Sequence, residues 1–174
     1  MSRNYNPSTV EVMEAVNSGF RVETSSLVCT TTIFKQTLVD LFNVYGRIRI
    51  NALFGEVTVV FSADAAKGRF TFATTLPAVI ASGNISADSA SVSAMAVGQR
   101  LTLQGDLVAT AAVITASAGI SFWPLSKFIV GTKDGTGTIQ INNDGAAVSV
   151  ATGEMKFVLC YTPISDGAYA TAAV

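Results

Sequence analysis

The feature that most constrains this chain is a period of two in its apolar residues. Between residues 42 and 54 the apolar side chains fall mostly on even positions, with polar side chains such as Arg47 and Arg49 between them. Because the side chains of a strand alternate between its faces, this pattern predicts one long half-buried strand or two short ones bent near Gly46. After Gly55 the apolar residues move to odd positions, which predicts a β-bulge or a tight corner at that glycine.

The same alternation recurs along the chain and predicts an all-β protein. Further short apolar runs begin near residues 27, 69, 101, 128, 139, 148 and 155. Asp64–Gly68 and Asn142–Gly145 are rich in residues that tolerate tight turns, and we expect a hairpin at each. Roughly eight to ten short strands predict an antiparallel β-sandwich or barrel that is jelly-roll-like.

The expected organisation is an N-terminal arm over residues 1–24 and a single β-domain over residues 25–174. The arm is compatible with a short helix or with a strand, and the sequence leaves both open. The stretch from Pro77 to Gly98 is rich in Ala and Ser, which favours a long loop or a weakly paired edge strand rather than core. An extended C-terminal tail is expected after Pro163, where the last apolar run ends.

Composition narrows the classes of function. Charged residues make up 13% and hydrophobic residues 49%, which argues against an intrinsically disordered chain. The net charge of −1 provides no broad basic surface for nucleic acid or anionic lipid. The absence of His excludes hydrolases with a His base and His-ligated zinc. The uncharged stretch Leu107–Ser126 is too rich in Ala, Thr, Ser and Gly for a membrane span, and two β-segments fit it better.

No catalytic, cofactor-binding or metal-binding group of residues emerges from the sequence. The turn segments lack the ligand spacing of calcium loops, and no carboxylates are placed as an acid and base pair. Cys29 and Cys160 both lie in alternating apolar segments, which favours buried thiols, while a disulfide between them stays open. We therefore expect that the protein is not an enzyme and uses no cofactor or metal.

The residues that stand out are suited to binding a partner. Arg47 and Arg49 share the polar side of one strand and can reach a phosphate or carboxylate, although a solvated strand face is the simpler interpretation. Trp123 can anchor an interface or fill the core. Tyr5 and Tyr169 lie near the chain ends, where a core position is hard to supply. These five residues are the candidate partner-binding residues.

Two blocks of the sequence resemble the head decoration proteins, or cement proteins, of tailed bacteriophages. One is LFNVYGRIRI at residues 41–50, running on to LFGEV at residues 53–57, and the other is MKFVLCYTPISDGAY at residues 155–169. The resemblance implies a β-rich, non-enzymatic protein that clamps neighbouring major capsid subunits from outside, often as a homo-oligomer. It carries over no catalytic residue and no capsid-contact position.

We therefore expect a virion structural protein on the capsid exterior. Synthesis in the host cytoplasm is expected because no apolar leader follows Met1. The expected partners are the major capsid protein and copies of this chain, with no nucleic acid and no membrane. Another virion component, namely a fibre, a spike base or the coat subunit itself, stays open as an alternative. A pilin-like or adhesin-like sandwich is a further alternative, which the missing signal peptide disfavours.

Overall fold

The computed structural model of the chain describes residues 19–28, 38–62, 67–76, 80–103, 113–114, 129–143 and 152–174. Twelve strands lie in these residues, and no helix does. The strands are β1 (Phe20–Glu23), β2 (Leu27–Val28), β3 (Leu38–Tyr45), β4 (Ile48–Val59), β5 (Gly68–Leu76), β6 (Ile80–Asn84), β7 (Arg100–Thr102), β8 (Val113–Ile114), β9 (Ile129–Val130), β10 (Thr136–Asn143), β11 (Glu154–Pro163) and β12 (Tyr169–Ala172).

The strands form two antiparallel sheets, which confirms the predicted all-β sandwich. The seven-stranded sheet has the order β1-β11-β4-β7-β8, with β2 beside the start of β11 and β9 beside the start of β4. The five-stranded sheet has the order β12-β3-β10-β5-β6. Every strand pairing among the described residues stays within one of the two sheets, so the alternative of a closed barrel is wrong.

The break predicted near Gly46 is confirmed, and the two strands on either side of it lie in different sheets. β3 belongs to the five-stranded sheet and β4 to the seven-stranded sheet. Gly46 has a φ of +72°, and its N–H donates to the carbonyl of Gly135 at 2.8 Å. A Cβ at residue 46 would lie 2.9 Å from the Cβ of Ala168. The corner therefore needs glycine for its backbone conformation and for space.

The two predicted hairpins have different outcomes. The hairpin at Asp64–Gly68 is wrong, because β4 and β5, the strands before and after it, lie in different sheets and do not pair. A two-residue period indicates strands but does not say which strands are neighbours. The second hairpin lies outside the described residues, since the strand expected at residues 148–150 falls in the interval 144–151.

The core lies between the two sheets and draws its large side chains from both. Phe70 on β5 and Phe157 on β11 are fully buried and meet edge to face, with ring centroids 6.4 Å apart and an angle of 88° between the planes. Fully burying one such side chain stabilises the fold by about 1.5–3 kcal/mol. The inward-facing residues of β3, β4 and β10 complete the same cluster. This contact joins the two sheets within one core.

The change of phase in β4 lies at Asn51 rather than at Gly55, so the predicted position is wrong. The register of β4 against β11 shifts between Ile50 and Ala52, which marks a bulge at the residue between them. Ile50 and Leu53 face the main core on either side of this bulge. A second buried cluster lies on the opposite face of the seven-stranded sheet; it consists of Ala52, Phe54, Val158 and Cys160. Because both faces of β4 carry apolar residues here, alternation alone misassigned the face.

Parts of both predicted chain ends belong to the sheets. Residues 20–23 of the expected arm form β1, which pairs with β11, and residues 1–18 lie outside the described part of the chain. The tail after Pro163 forms β12, which pairs with β3 at the edge of the five-stranded sheet. The hydroxyl of Tyr161 accepts a hydrogen bond from the backbone N–H of Ala170 at 3.0 Å. This bond ties the tail to the opposite sheet of the same chain.

The stretch from Pro77 to Gly98 contributes more to the core than its composition indicated. The edge strand expected there is β6, which pairs with β5. The connection after β6 returns to the main cluster, so the expectation that this stretch stays out of the core is wrong for its second half. The buried apolar residues of that connection are Ile85, Val92 and Met95.

Candidate partner-binding surface

The five candidate partner-binding residues are only partly within the described structure. Tyr5 and Trp123 lie outside the described residues, as does Cys29, so the question of a disulfide with Cys160 lies outside them too. Arg47, Arg49 and Tyr169 are described. All three lie at the end of the sandwich where β3 passes into β4.

Tyr169 lies beside Tyr45 on the outer face of the five-stranded sheet. The two residues are directly opposite each other where β12 pairs with β3. Their rings stack with centroids 4.5 Å apart and an angle of 15° between the planes, and Tyr169 remains 47% exposed. Tyr169 is therefore held in place by its own chain, and half of its surface is open to solvent.

Arg47 and Arg49 project from the outer face of the other sheet. Ile48 and Ile50 point into the core, so the alternation of β4 sends both arginines outward. The Nε of Arg49 donates to the side-chain oxygen of Asn51 at 3.2 Å, and the Nδ2 of Asn51 donates to the hydroxyl of Thr162 at 2.9 Å. The three candidates that the structure describes thus share one end of the molecule but leave it from opposite faces.

The backbone at Arg47 is held firmly. Its carbonyl accepts the N–H of Ile164 at 2.8 Å, and its N–H donates to the hydroxyl of Ser165 at 2.9 Å. Gly131 packs so closely that a Cβ there would lie 2.1 Å from the carbonyl oxygen of Gly46. The surface around the two arginines therefore rests on hydrogen-bonded backbone from three separate parts of the chain.

Two exposed isoleucines flank the arginines. Ile129 on β9 lies opposite Arg49 and is 56% exposed. Ile164 follows β11, lies beside Arg47 through their backbone hydrogen bond, and is 46% exposed. We call the surface formed by Arg47, Arg49, Ile129 and Ile164 the corner patch.

Sequence reasoning found the arginines of the corner patch but missed its isoleucines. Ile129 was read as part of a short apolar run, and nothing local marks it as exposed. Its position follows from the pairing of β9 with β4, which joins residues far apart in the chain. For Ile164 the sequence does offer a signal of exposure, because this apolar residue comes directly after Pro163, where the strand ends.

Farther along this outer face several charged and thiol groups have partners or are buried, while Val28 and Val59, both paired with Glu154, stay 39% and 45% exposed. Glu56 lies between Arg100, at 2.7 Å from its Nη2, and Lys156, at 4.0 Å from its Nζ. Burial raises the pKa of the Cys160 thiol above its usual 9.0; the nearby Arg21 opposes this rise and Glu23 adds to it. A thiol in this state is a poor nucleophile at neutral pH.

The described residues contain no cluster of candidate metal ligands. Among them, no three His, Cys, Asp or Glu side chains are grouped so that they could hold a metal ion. The described part of the chain contains no helix that is long and apolar enough to cross a membrane. What the arrangement can do chemically is present cationic and apolar side chains to another surface.

Comparisons with protein-family models, with curated proteins and with solved structures found no match to this chain. The corner patch is therefore interpreted from its own geometry.

Proposed function

We propose that this protein is a virion structural protein that binds the outside of an assembled phage capsid and stabilises it by bridging major capsid subunits. The observation that carries the proposal is the corner patch, where exposed isoleucines and two arginines lie on a rigid part of the sandwich. Exposed apolar side chains that are grouped on a rigid surface are typical of sites that bind other proteins. The sequence resemblance to phage decoration proteins supports the same function.

The fold suits a protein that acts by binding alone. A protein that binds the assembled shell better than its free subunits shifts the equilibrium towards the shell. Attachment to two subunits at once makes the second contact intramolecular, so that modest affinity at each contact is sufficient. A rigid sandwich with both sheets fixed by one core keeps the geometry of two such contacts constant.

The C-terminal strand restricts how neighbours can be bridged. β12 is paired with β3, and its Ala170 N–H is taken by Tyr161. Because the tail is engaged within its own chain, we propose that bridging uses surfaces of the folded domain, with the corner patch as the capsid contact. Association with further copies of this chain is part of the proposal.

The test is binding to capsids assembled from the major capsid protein that is encoded near this chain's gene. Co-sedimentation of purified protein with these shells measures binding, and cryo-electron microscopy locates it. Thermal disassembly of the shells, followed by light scattering, measures stabilisation. We expect saturable binding on the outer surface and a higher disassembly temperature.

Two results would contradict the proposal. The first is the absence of any shell-bound protein at micromolar concentration. The second is the formation of closed shells by this protein alone, because that behaviour belongs to a coat subunit. Gly83→Ala is a control variant that should behave like wild type in both assays. A methyl group at this exposed position meets only one atom, the carbonyl oxygen of Phe72, 4.0 Å away.

A further inference from the structure

The two outer faces of the sandwich differ in charge. On the outer face of the seven-stranded sheet, basic side chains outnumber carboxylates. The basic residues are Arg21, Arg47, Arg49, Arg100 and Lys156, and the acidic ones are Glu23, Glu56 and Glu154. The outer face of the five-stranded sheet carries mainly Thr, Asn, Gln and Tyr. Its charged residues in the described part of the chain are Asp40, Arg69 and Asp88.

The carboxylates of the basic face are already engaged within the protein. Glu23 pairs with Arg21, and Glu56 pairs with Arg100 and Lys156. Glu154 accepts a hydrogen bond from the hydroxyl of Ser26 at 3.0 Å. These contacts leave the positive charge of the face mainly with the two arginines at its corner end, where the exposed Asp166 also lies, next to Ser165.

Arg47 and Arg49 carry that charge. Within the described ranges, neither guanidinium has a carboxylate within ion-pair distance. Arg49 is oriented by Asn51, and the backbone of Arg47 is fixed by Ile164 and Ser165. An arginine presents a planar fork of donors that matches a carboxylate with two parallel hydrogen bonds. Two exposed guanidinium groups, of which Asn51 orients that of Arg49 and neither has a described carboxylate within ion-pair distance, therefore form a surface complementary to an acidic partner.

The spacing of the two forks adds a geometric requirement. Arg47 directly precedes β4 and Arg49 is the second residue of β4, and positions two residues apart in extended backbone lie about 7 Å apart on the same side. Two carboxylates on the same side of an extended partner segment have the same separation. Ile129 and Ile164 lie on either side of the arginines, so the partner segment must also bring apolar side chains to be covered.

We propose that the corner patch recognises an extended acidic segment of the capsid partner, in which two carboxylates on one side are accompanied by apolar side chains. This inference rests on the proposed function and names the chemistry of its contact. It also sets the orientation of the protein: the outer face of the seven-stranded sheet faces the shell, and the neutral polar face of the other sheet faces solvent.

The test compares charge-reversal variants in the same capsid-binding assay. Arg49→Glu and Arg47→Glu each replace one positive charge at the patch with one negative charge. Lys67→Glu makes the same change on an exposed residue before β5, at the opposite end of the sandwich. At low salt we expect each arginine variant to bind the shells at least about tenfold more weakly than wild type. A tenfold loss of affinity corresponds to the loss of about one charge-assisted hydrogen bond. The affinity of the Lys67 variant should stay within about twofold of wild type, because a charge at the opposite end of the sandwich acts on the patch only through a weak, screened long-range effect.

Further measurements separate loss of contact from loss of folding. The Arg47 side chain makes no ion pair in the described structure, so Arg47→Glu should keep the wild-type unfolding midpoint. Wild-type affinity should fall as salt is raised from 0.05 to 0.5 M, and the arginine variants should show a weaker dependence. A synthetic peptide Ile-Thr-Glu-Thr-Glu-Thr-Ile, which places two carboxylates and two apolar side chains on one side of an extended segment, should compete for capsid binding, whereas its counterpart with Gln in place of Glu should not.

The outcomes distinguish the two proposals. If wild-type protein binds no shell, the proposed function fails and this inference fails with it. If wild type and the arginine variants bind equally, the inference alone is wrong. If duplex DNA competes as well as the Glu-containing peptide does, the patch recognises polyanions in general, and the assignment of an acidic protein segment is overturned. Loss of binding by the arginine variants together with competition by the Glu peptide alone supports both proposals.

Discussion

Gly55 is the position where one added methyl group has the most clearly defined consequence. It lies on the inward side of β4, opposite Phe157 in the pairing with β11. A Cβ at this position would lie 2.2 Å from the sulfur of Met155 and 2.7 Å from Cε1 of Phe157. Non-bonded carbon atoms normally stay about 3.5–4.0 Å apart. At least one of these side chains must therefore move by more than roughly 1 Å. Both are 0% exposed, which leaves them no solvent-filled space to move into.

Gly55→Ala is therefore expected to destabilise the protein by about 1–3 kcal/mol, the usual cost of overpacking a closed core. For a chain of this size that corresponds to a fall in Tm of about 2–12 °C. The assay is guanidinium unfolding followed by far-ultraviolet circular dichroism, with calorimetry for the Tm. Gly83→Ala is the matched control, because a Cβ there meets nothing closer than 4.0 Å. It should be neutral or stabilising by up to about 1 kcal/mol.

A double variant tests the cause of the loss. Met155→Ala alone removes a buried side chain and should cost about 2–5 kcal/mol. In Gly55→Ala/Met155→Ala the new methyl group occupies part of the vacated space, so the loss should fall short of the sum of the single variants by about 0.5–3 kcal/mol. Equal stability of the Gly55 and Gly83 variants, or strict additivity in the double variant, would refute the packing argument.

Two further predictions concern buried polar groups. Tyr161→Phe removes the acceptor of the Ala170 N–H, so we expect a loss of about 1–3 kcal/mol and faster hydrogen exchange at that amide; unchanged protection would contradict this. In a Cys29→Ser background, Cys160 should react with a disulfide reagent at pH 8 far more slowly in the native than in the denatured state, since burial raises its pKa. The raised pKa also means that its contribution to stability is lost as pH rises above 9.0, and Cys160→Ala should abolish that part of the pH dependence.

The fold class and the corner at Gly46 could be predicted because both depend on local patterns. Alternation reports that a segment is a strand, and a glycine between two alternating runs reports a break. The predicted position of the phase change in β4 is wrong because the second buried cluster gives the outer face of β4 an apolar character as well. The bulge at Asn51 leaves no mark in composition, since its cause is the register against β11.

The candidate surface was predictable to a similar extent. The outward direction of Arg47 and Arg49 follows from their place between Ile48 and Ile50, which is a local pattern. The exposure of Ile129 depends on a pairing with a strand about eighty residues away, and no local pattern reports such a contact. Tyr169 was recognised as unusual for a terminal segment, whereas its stacking partner Tyr45 could be identified only from the register of β12 with β3.

The low charge content of the chain makes the corner patch important for the choice of partner. With only 13% charged residues, most of the surface is covered by neutral polar and small apolar side chains, which distinguish partners poorly. Two of the acids on the basic face form ion pairs within the protein, Glu23 with Arg21 and Glu56 with Arg100, and Glu154 accepts a hydrogen bond from Ser26. Specificity for an acidic partner then depends on Arg47 and Arg49, because they are the cations on that face which no described carboxylate compensates. A chain of ordinary charge content would spread such a preference over many residues, whereas here one reversal at Arg49 should be enough to reveal it.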